Sequence, residues 1–182
     1  MSNSSGLIIV RSLTDSDMGL FSAHRRATTS KQRAIALTAP AAEQLLHPDI
    51  VRDKGAEFDC ICLYGPVNNR EQRRINKGGK NWRLGGRQLE GEIFAGLDSK
   101  DFALIRSVRH NDGSTPILLT FVGRRSQRLI QAGLAATLDG ALQQSVAIFH
   151  DNSPEFETLA ELFPPVPARV AIQRPLQQAA FI

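Results

Sequence analysis

The chain has 182 residues, 42% of them hydrophobic and 22% charged, with a formal net charge of +4 and a pI near 9.5. That length suits one domain with a full core rather than two, and the composition is ordinary for a soluble globular protein. No apolar run approaches the about 18–20 residues of a membrane span, and "MSNSSGLIIVRS" lacks the basic start and longer apolar core of a secretory signal, so the expectation is an intracellular protein with no membrane partner.

"GLIIVRSL" (6–13) is short, apolar and β-branched, and predicts a first strand. "TDSDMGLFSAHRRATTSKQR" (14–33) has turn formers and little periodicity, which predicts a long loop or arm. It carries His24, Arg25, Arg26, Lys31 and Arg33, with no acid after Asp17. "AIALTA" (34–39) predicts a second strand, "PAAEQLLHPD" (40–49) a short helix opened by proline, and "EFDCICLYG" (57–65) a third strand. Cys60 and Cys62 project to one face of that strand and are expected as buried, reduced thiols rather than a disulfide.

The next segment, "NNREQRRINKGGKNWRLGGR" (68–87), holds Arg70, Arg73, Arg74, Lys77, Lys80, Arg83 and Arg87 against the single acid Glu71, a local charge of +6 in a chain of +4. With its flanks (66–88) it reads as a second basic, aperiodic arm leaving the core. "EIFAGL" (92–97), "DFALIRSVRH" (101–110), "PILLTFVG" (116–123) and "SVAIFH" (145–150) predict further strands, with a turn at "NDG" (111–113). "SQRLIQAGLAATLDGALQQ" (126–144), interrupted by Gly133, and "SPEFETLAELF" (153–163) predict helices. The proline-rich tail (164–182) is expected to run extended against the body. The sum is a single α+β, mainly β domain over 1–182: an open, barrel-like sheet of about seven strands, two or three short helices and two basic arms.

Clustered cations point to phosphate-bearing partners. Arg can bind guanine O6 and N7 bidentately, and Gln can do the same with adenine N6 and N7. Arg70, Gln72, Arg73 and Arg74 are therefore candidate readers of bases. Asn76, Lys77, Lys80, Arg83 and Arg87 are candidate contacts alongside them, with the last four holding the backbone. His24, Arg25, Arg26, Lys31 and Arg33 are the counterparts on the first arm. Trp82 reads as a packing residue before a stacking platform.

Catalytic patterns are missing. "GGKNWRLGG" does not fit a phosphate-binding P-loop, because Asn81 follows Lys80. No G-x-S-x-G elbow is present. Only Asp98-Ser99-Lys100 has the local form of a nuclease carboxylate-lysine motif, and no acid stands at suitable upstream spacing. His24, His47, His110 and His150 are scattered, so neither a metal nor another cofactor is expected.

Several stretches in order resemble the amino-terminal effector-binding domain of EcoRII-type restriction endonucleases, a DNA-binding pseudobarrel also found in plant auxin-response factors. "LTDSDMGLFSAH" (13–24) is similar to that family's first arm, with Asp17, Gly19 and His24 at its characteristic positions. "PAAEQLLHP" (40–48) is similar to its short helix, "NREQRRI" (69–75) to its second arm, and "GLAATLDGALQQ" (133–144) to its late helix and loop. The resemblance implies two arms gripping the major groove of a specific duplex, Asp17 among the contacts. It also implies a prokaryotic restriction-type system, in which a separate nuclease domain or subunit does the cutting. Gln72 departs from the family, whose arm tends to carry an acid there. The alternative reading is an RNA-binding or ribosome-associated domain using the same arms, although aromatic RNA-stacking motifs are missing.

Overall fold

The computed structural model describes residues 6–26, 30–108, 116–167 and 171–172. One sheet dominates it, formed by β1 (Leu7–Ser12), β2 (Ile35–Thr38), β3 (Gly55–Tyr64), β4 (Val67–Gly78), β5 (Asn81–Gly85), β6 (Phe102–Ser107), β7 (Ile117–Val122) and β8 (Val146–His150). Their order is β2-β5-β4-β3-β7-β6-β1-β8, and a short β9 (Ala171–Ile172) joins β4 at Asn69 and Arg70. Along the main path only β3 and β7 run parallel. The sheet curls into a nearly closed barrel, the expected mainly-β α+β pseudobarrel. β2 and β8 end the path, and helix α1 (Ala39–Leu45) lies against both.

The strands divide by how many of their faces are buried. β1, "LIIVRS", is buried at every position because it separates two cores. Leu7 and Ile9 point into the barrel, while Ile8 and Val10 point outward under a helical layer. β6 and β7 behave likewise: Ala103, Ile105 and Leu119 face in, and Phe102, Leu104 and Leu118 face out. Such continuous apolar runs are what two-sided burial requires. The covering layer is α3 (Gln127–Gln131), α4 (Ala135–Ala141) and α5 (Phe156–Ala160), which supply Leu129, Leu138, Phe156 and Leu159.

Four expectations change, three of them about helices. Residues 126–144 form two helices rather than one, because Gly133 takes a left-handed φ of 65° between them. The proline-led segment from 40 likewise makes α1 and then α2 (Pro48–Asp53). Residues 92–96 form a 3-10 helix instead of a strand, with Phe94 turned into an aromatic cluster of Phe21, Tyr64 and Phe121. The turn expected at 111–113 and most of the tail lie outside the described residues.

The largest correction concerns 66–88, which is not a loop. Most of it is the hairpin of β4 and β5, in the same sheet as the core strands. Its burial alternates with period two: Glu71, Arg73, Ile75, Trp82 and Leu84 point inward, whereas Gln72, Arg74, Asn76, Asn81 and Arg83 point out. Charge hides that alternation in the sequence, because two of the inward residues are themselves ionic.

Two buried ion pairs follow. Arg73 donates to the Glu71 carboxylate and, at 2.7 Å, to the Arg87 carbonyl. Asp17, wholly buried, accepts from Arg11 Nε at 2.9 Å, from the Thr14 amide and hydroxyl, and from the Ala36 amide at 3.1 Å. Arg11 also donates to the Gln144 carbonyl. Beside the first pair, Cys60 and Cys62 are free and buried. Burial pushes both thiols up, Cys62 to about 12, and the nearby Arg73 guanidinium opposes this only in part.

Asp17→Ala should cost roughly 3–5 kcal/mol, read by denaturant unfolding, because it strands a buried guanidinium. Native protein at neutral pH should leave Cys60 and Cys62 unreactive toward Ellman's reagent until denaturant is added, since the thiolate is the reacting form.

Candidate functional site

The helical layer covers β8, β1, β6, β7 and the outward side of Ile61 and Leu63 on β3. It does not extend over β4, β5 and β2. The outward face there carries Arg70, Gln72, Arg74 and Asn76 from β4, Asn81 and Arg83 from β5, and Ala36 and Thr38 from β2. These positions are exposed or half-buried. The hydrogen-bonded ladder places Arg83 opposite Asn76 and Arg74 opposite Gly85. The Arg83 guanidinium lies along Gly78, where a Cβ would come within 3.4 Å of its Nε.

The first arm is stitched to the far end of this face. Residues 17–20 and 22–24 form short 3-10 helices. Phe21 pairs with Leu89 across a parallel bridge, Ser22 donates to the Leu89 carbonyl, and Gln88 donates to the Gly19 carbonyl. Gly19 is required by proximity, since a Cβ there would lie 2.1 Å from the Gln32 carbonyl oxygen. The returning leg brings the Arg33 carbonyl within 3.2 Å of a Cβ built on Gly85. The two basic segments, separate in sequence, therefore meet beside one end of the hairpin, where Arg33 and Arg87 are exposed near Arg74, with Lys31 exposed two residues before Arg33. Arg25 and Arg26 are exposed at the end of the second 3-10 helix, and Lys80 sits at the hairpin tip.

Within this set the side chains differ in what they can still bind. The ion pairs of the described residues leave out Arg25, Arg26, Lys31, Arg33, Arg74, Lys80, Arg83 and Arg87. Their charges face solvent, where a polyanion can meet them. Arg70 and Gln72 are both engaged by Asp59, from the neighbouring strand β3. His24 is held by a 2.9 Å contact between its Nε2 and the Phe94 carbonyl, so the donating tautomer carries its proton on Nε2.

Three of the expected contacts have partners within the fold. Asp17 is enclosed and saturated by its partners. Arg73 is 1% exposed, because the pleat turns it inward with Glu71. Lys77 donates to Glu43 of α1 at 2.8 Å and lies 5.7 Å from the centre of the Trp82 ring. Trp82 is buried and donates its indole N–H to the same carboxylate, so the packing role expected for it is the one it has. Hydrogen bonds from Lys77 and then Trp82 hold the Glu43 carboxyl below the usual carboxylate range. Sequence reasoning missed Asp59, whose place on the basic face only the strand register reveals.

Among the described residues, no three His, Cys, Asp or Glu side chains gather as metal ligands. No protein-family model matches the chain, and no curated protein does. Among solved structures it is similar to the B3 domain of the UbaLAI restriction endonuclease, crystallised with cognate DNA. The likeness covers 80% of this chain and 86% of that one, with 12% identity and a TM-score of 0.49.

Proposed function

We propose that this chain is a sequence-specific binding domain for double-stranded DNA, acting inside a prokaryotic cell as the recognition part of a restriction-type system. Cutting would fall to a separate nuclease domain or subunit. The observation that carries the reading is the uncovered hairpin face, where Arg74 and Arg83, outside every ion pair of the described residues, stand beside the amides of Gln72 and Asn76. Cations alone bind phosphates without regard to sequence. Amides and guanidinium groups set at strand spacing among them add base-edge donors and acceptors.

The shape of the element favours DNA over RNA. The B-form major groove admits a two-stranded β-ribbon, whereas the major groove of A-form RNA is too deep and narrow for side-chain reading. The β4–β5 hairpin is flanked by β3 and β2 along most of its length, so what it offers the B-form groove is its outward row of side chains and its tip, with Gly78 and Gly79 at the turn and Lys80 beside them. In this arrangement Arg74 and Gln72 read bases, with Arg70 beside them. Arg83, Arg87 and Lys80 hold the backbone, and Arg25, Arg26, Lys31 and Arg33 hold it from the first arm.

Fluorescence anisotropy against random and selected duplexes across a salt series tests this. Binding should weaken by orders of magnitude between low and moderate salt. Arg83→Ala should weaken all sequences alike and lower the salt slope by about one, whereas Arg74→Ala should cost about 1–3 kcal/mol and relax one position of the site. Arg128→Ala, on α3 of the helical layer, where it donates to the Glu161 carbonyl, should change neither. Failure to bind any duplex at low salt, or preference for structured RNA in competition, would refute the reading.

A further inference from the structure

Two carboxylates of β3 stand on the basic face, Glu57 opposite Arg74 and Asp59 opposite Gln72, and Asp59 grips two of the candidate readers. Asp59 lies directly opposite Gln72 in the β3–β4 ladder, and Arg70 is two residues before Gln72 on the same face. Asp59 Oδ2 accepts from Arg70 Nη2 at 2.5 Å and Nε at 3.2 Å, while Oδ1 accepts from Gln72 Nε2. The three side chains are half-buried or exposed, so the cluster is open to a ligand.

The chemistry of that grip is directional. An ionised carboxylate only accepts hydrogen bonds, so Gln72 must turn its NH2 group toward Asp59. Its carbonyl oxygen is thereby directed away from Asp59 and left without a partner among the described residues. The amide keeps one further N–H, because Asp59 consumes only one of two. Without Asp59 the amide could face either way, and Gln72 would accept from one base as readily as it donated to another. The negative charge also disfavours a phosphate at this point of a largely cationic surface.

We propose that Asp59 is a positioning residue that sets base preference at the interface. It commits Gln72 to present an acceptor, so that Gln72 selects a base carrying an exocyclic amino group in the major groove. That group is N6 of adenine or N4 of cytosine; guanine and thymine offer an oxygen at the equivalent place and are rejected. The proposal rests on the DNA-binding reading above and adds the means by which one position of the site is chosen.

Random-duplex selection followed by sequencing tests it, using the full chain, Asp59→Asn, Asp59→Ala and Gln72→Ala. The unaltered chain should select sites with one position restricted to adenine or cytosine, and sequencing tells which. Gln72→Ala and Asp59→Ala should each reduce the preference at that position roughly tenfold while leaving the other positions as they were. Asp59→Asn is the sharper variant. Its introduced amide can donate to the Gln72 carbonyl, let the glutamine turn over, and open that position to guanine or thymine. A residue that merely supported the strand would not change base identity in this way. Equal shifts on all sequences in the Asp59 variants, with the site's preferences intact, would overturn the role of Asp59 and leave DNA binding standing. Selection of no duplex by the unaltered chain would overturn both. Gln72→Ala alters an exposed side chain, so it tests the same position even if an Asp59 variant fails to fold.

Discussion

The barrel depends on one buried carboxylate. β2 and β8, the two ends of the sheet, are not paired with each other among the described residues, and an open seam would leave backbone groups on both edges without partners. Asp17 meets that problem from the inside. It holds the Ala36 amide of β2, the turn at Thr14 and the Arg11 guanidinium of β1, and Arg11 reaches on to the Gln144 carbonyl just before β8. Four parts of the chain are thus tied through one buried ion pair. A lone charge in that place would be far worse than an apolar residue, whereas the pair with its further hydrogen bonds is satisfied. The same knot fixes the base of the first arm, so the positions of Arg25, Arg26 and Arg33 follow from it.

The division of the sheet into a covered and an uncovered half produces the candidate interface. Where α3, α4 and α5 lie over the strands, both faces are apolar, and charge there would be buried without compensation. Where no helix lies, only the inward face must be apolar, and the outward positions of β4 and β5 can carry guanidinium and amide groups. A sheet is a good platform for such groups. Its spacing is rigid, successive outward side chains lie about 7 Å apart, and less ordering is left for the moment of binding. The acids on this face refine it: Asp59 spends its charge on Arg70 and Gln72, while Glu57 stands opposite Arg74, and Arg74 and Arg83 stay outside the ion pairs of the described residues.

Much of this was legible from residues alone. The apolar strands at 6–13, 34–39, 57–65, 116–123 and 145–150 were readable because two-sided burial or β-branched alternation leaves a pattern that few other structures share. The hairpin at β4 and β5 was not. Its inward positions include Glu71 and Arg73, which neutralise each other inside the barrel, and a pair satisfied at close range looks like solvated charge in a one-dimensional reading. The same blindness placed Asp17, Arg73 and Lys77 among the expected contacts. Each is polar by type, and only the folded chain shows it occupied: Asp17 by Arg11, Arg73 by Glu71 and Lys77 by Glu43.

The amino-acid sequence by itself determined the class of the fold, the reduced state expected of the cysteines and the concentration of positive charge in two segments, because composition and local periodicity act over a few residues. Only the tertiary structure decided which of those charges remain free. It brought Arg33 beside Gly85, turned Arg73 inward while leaving Arg74 outside, and set Asp59 against Gln72. Strand pairing joins residues that the chain keeps apart, and the pleat sends neighbours to opposite faces. Whether a cation is a structural partner or a binding group is therefore settled by its register in the sheet.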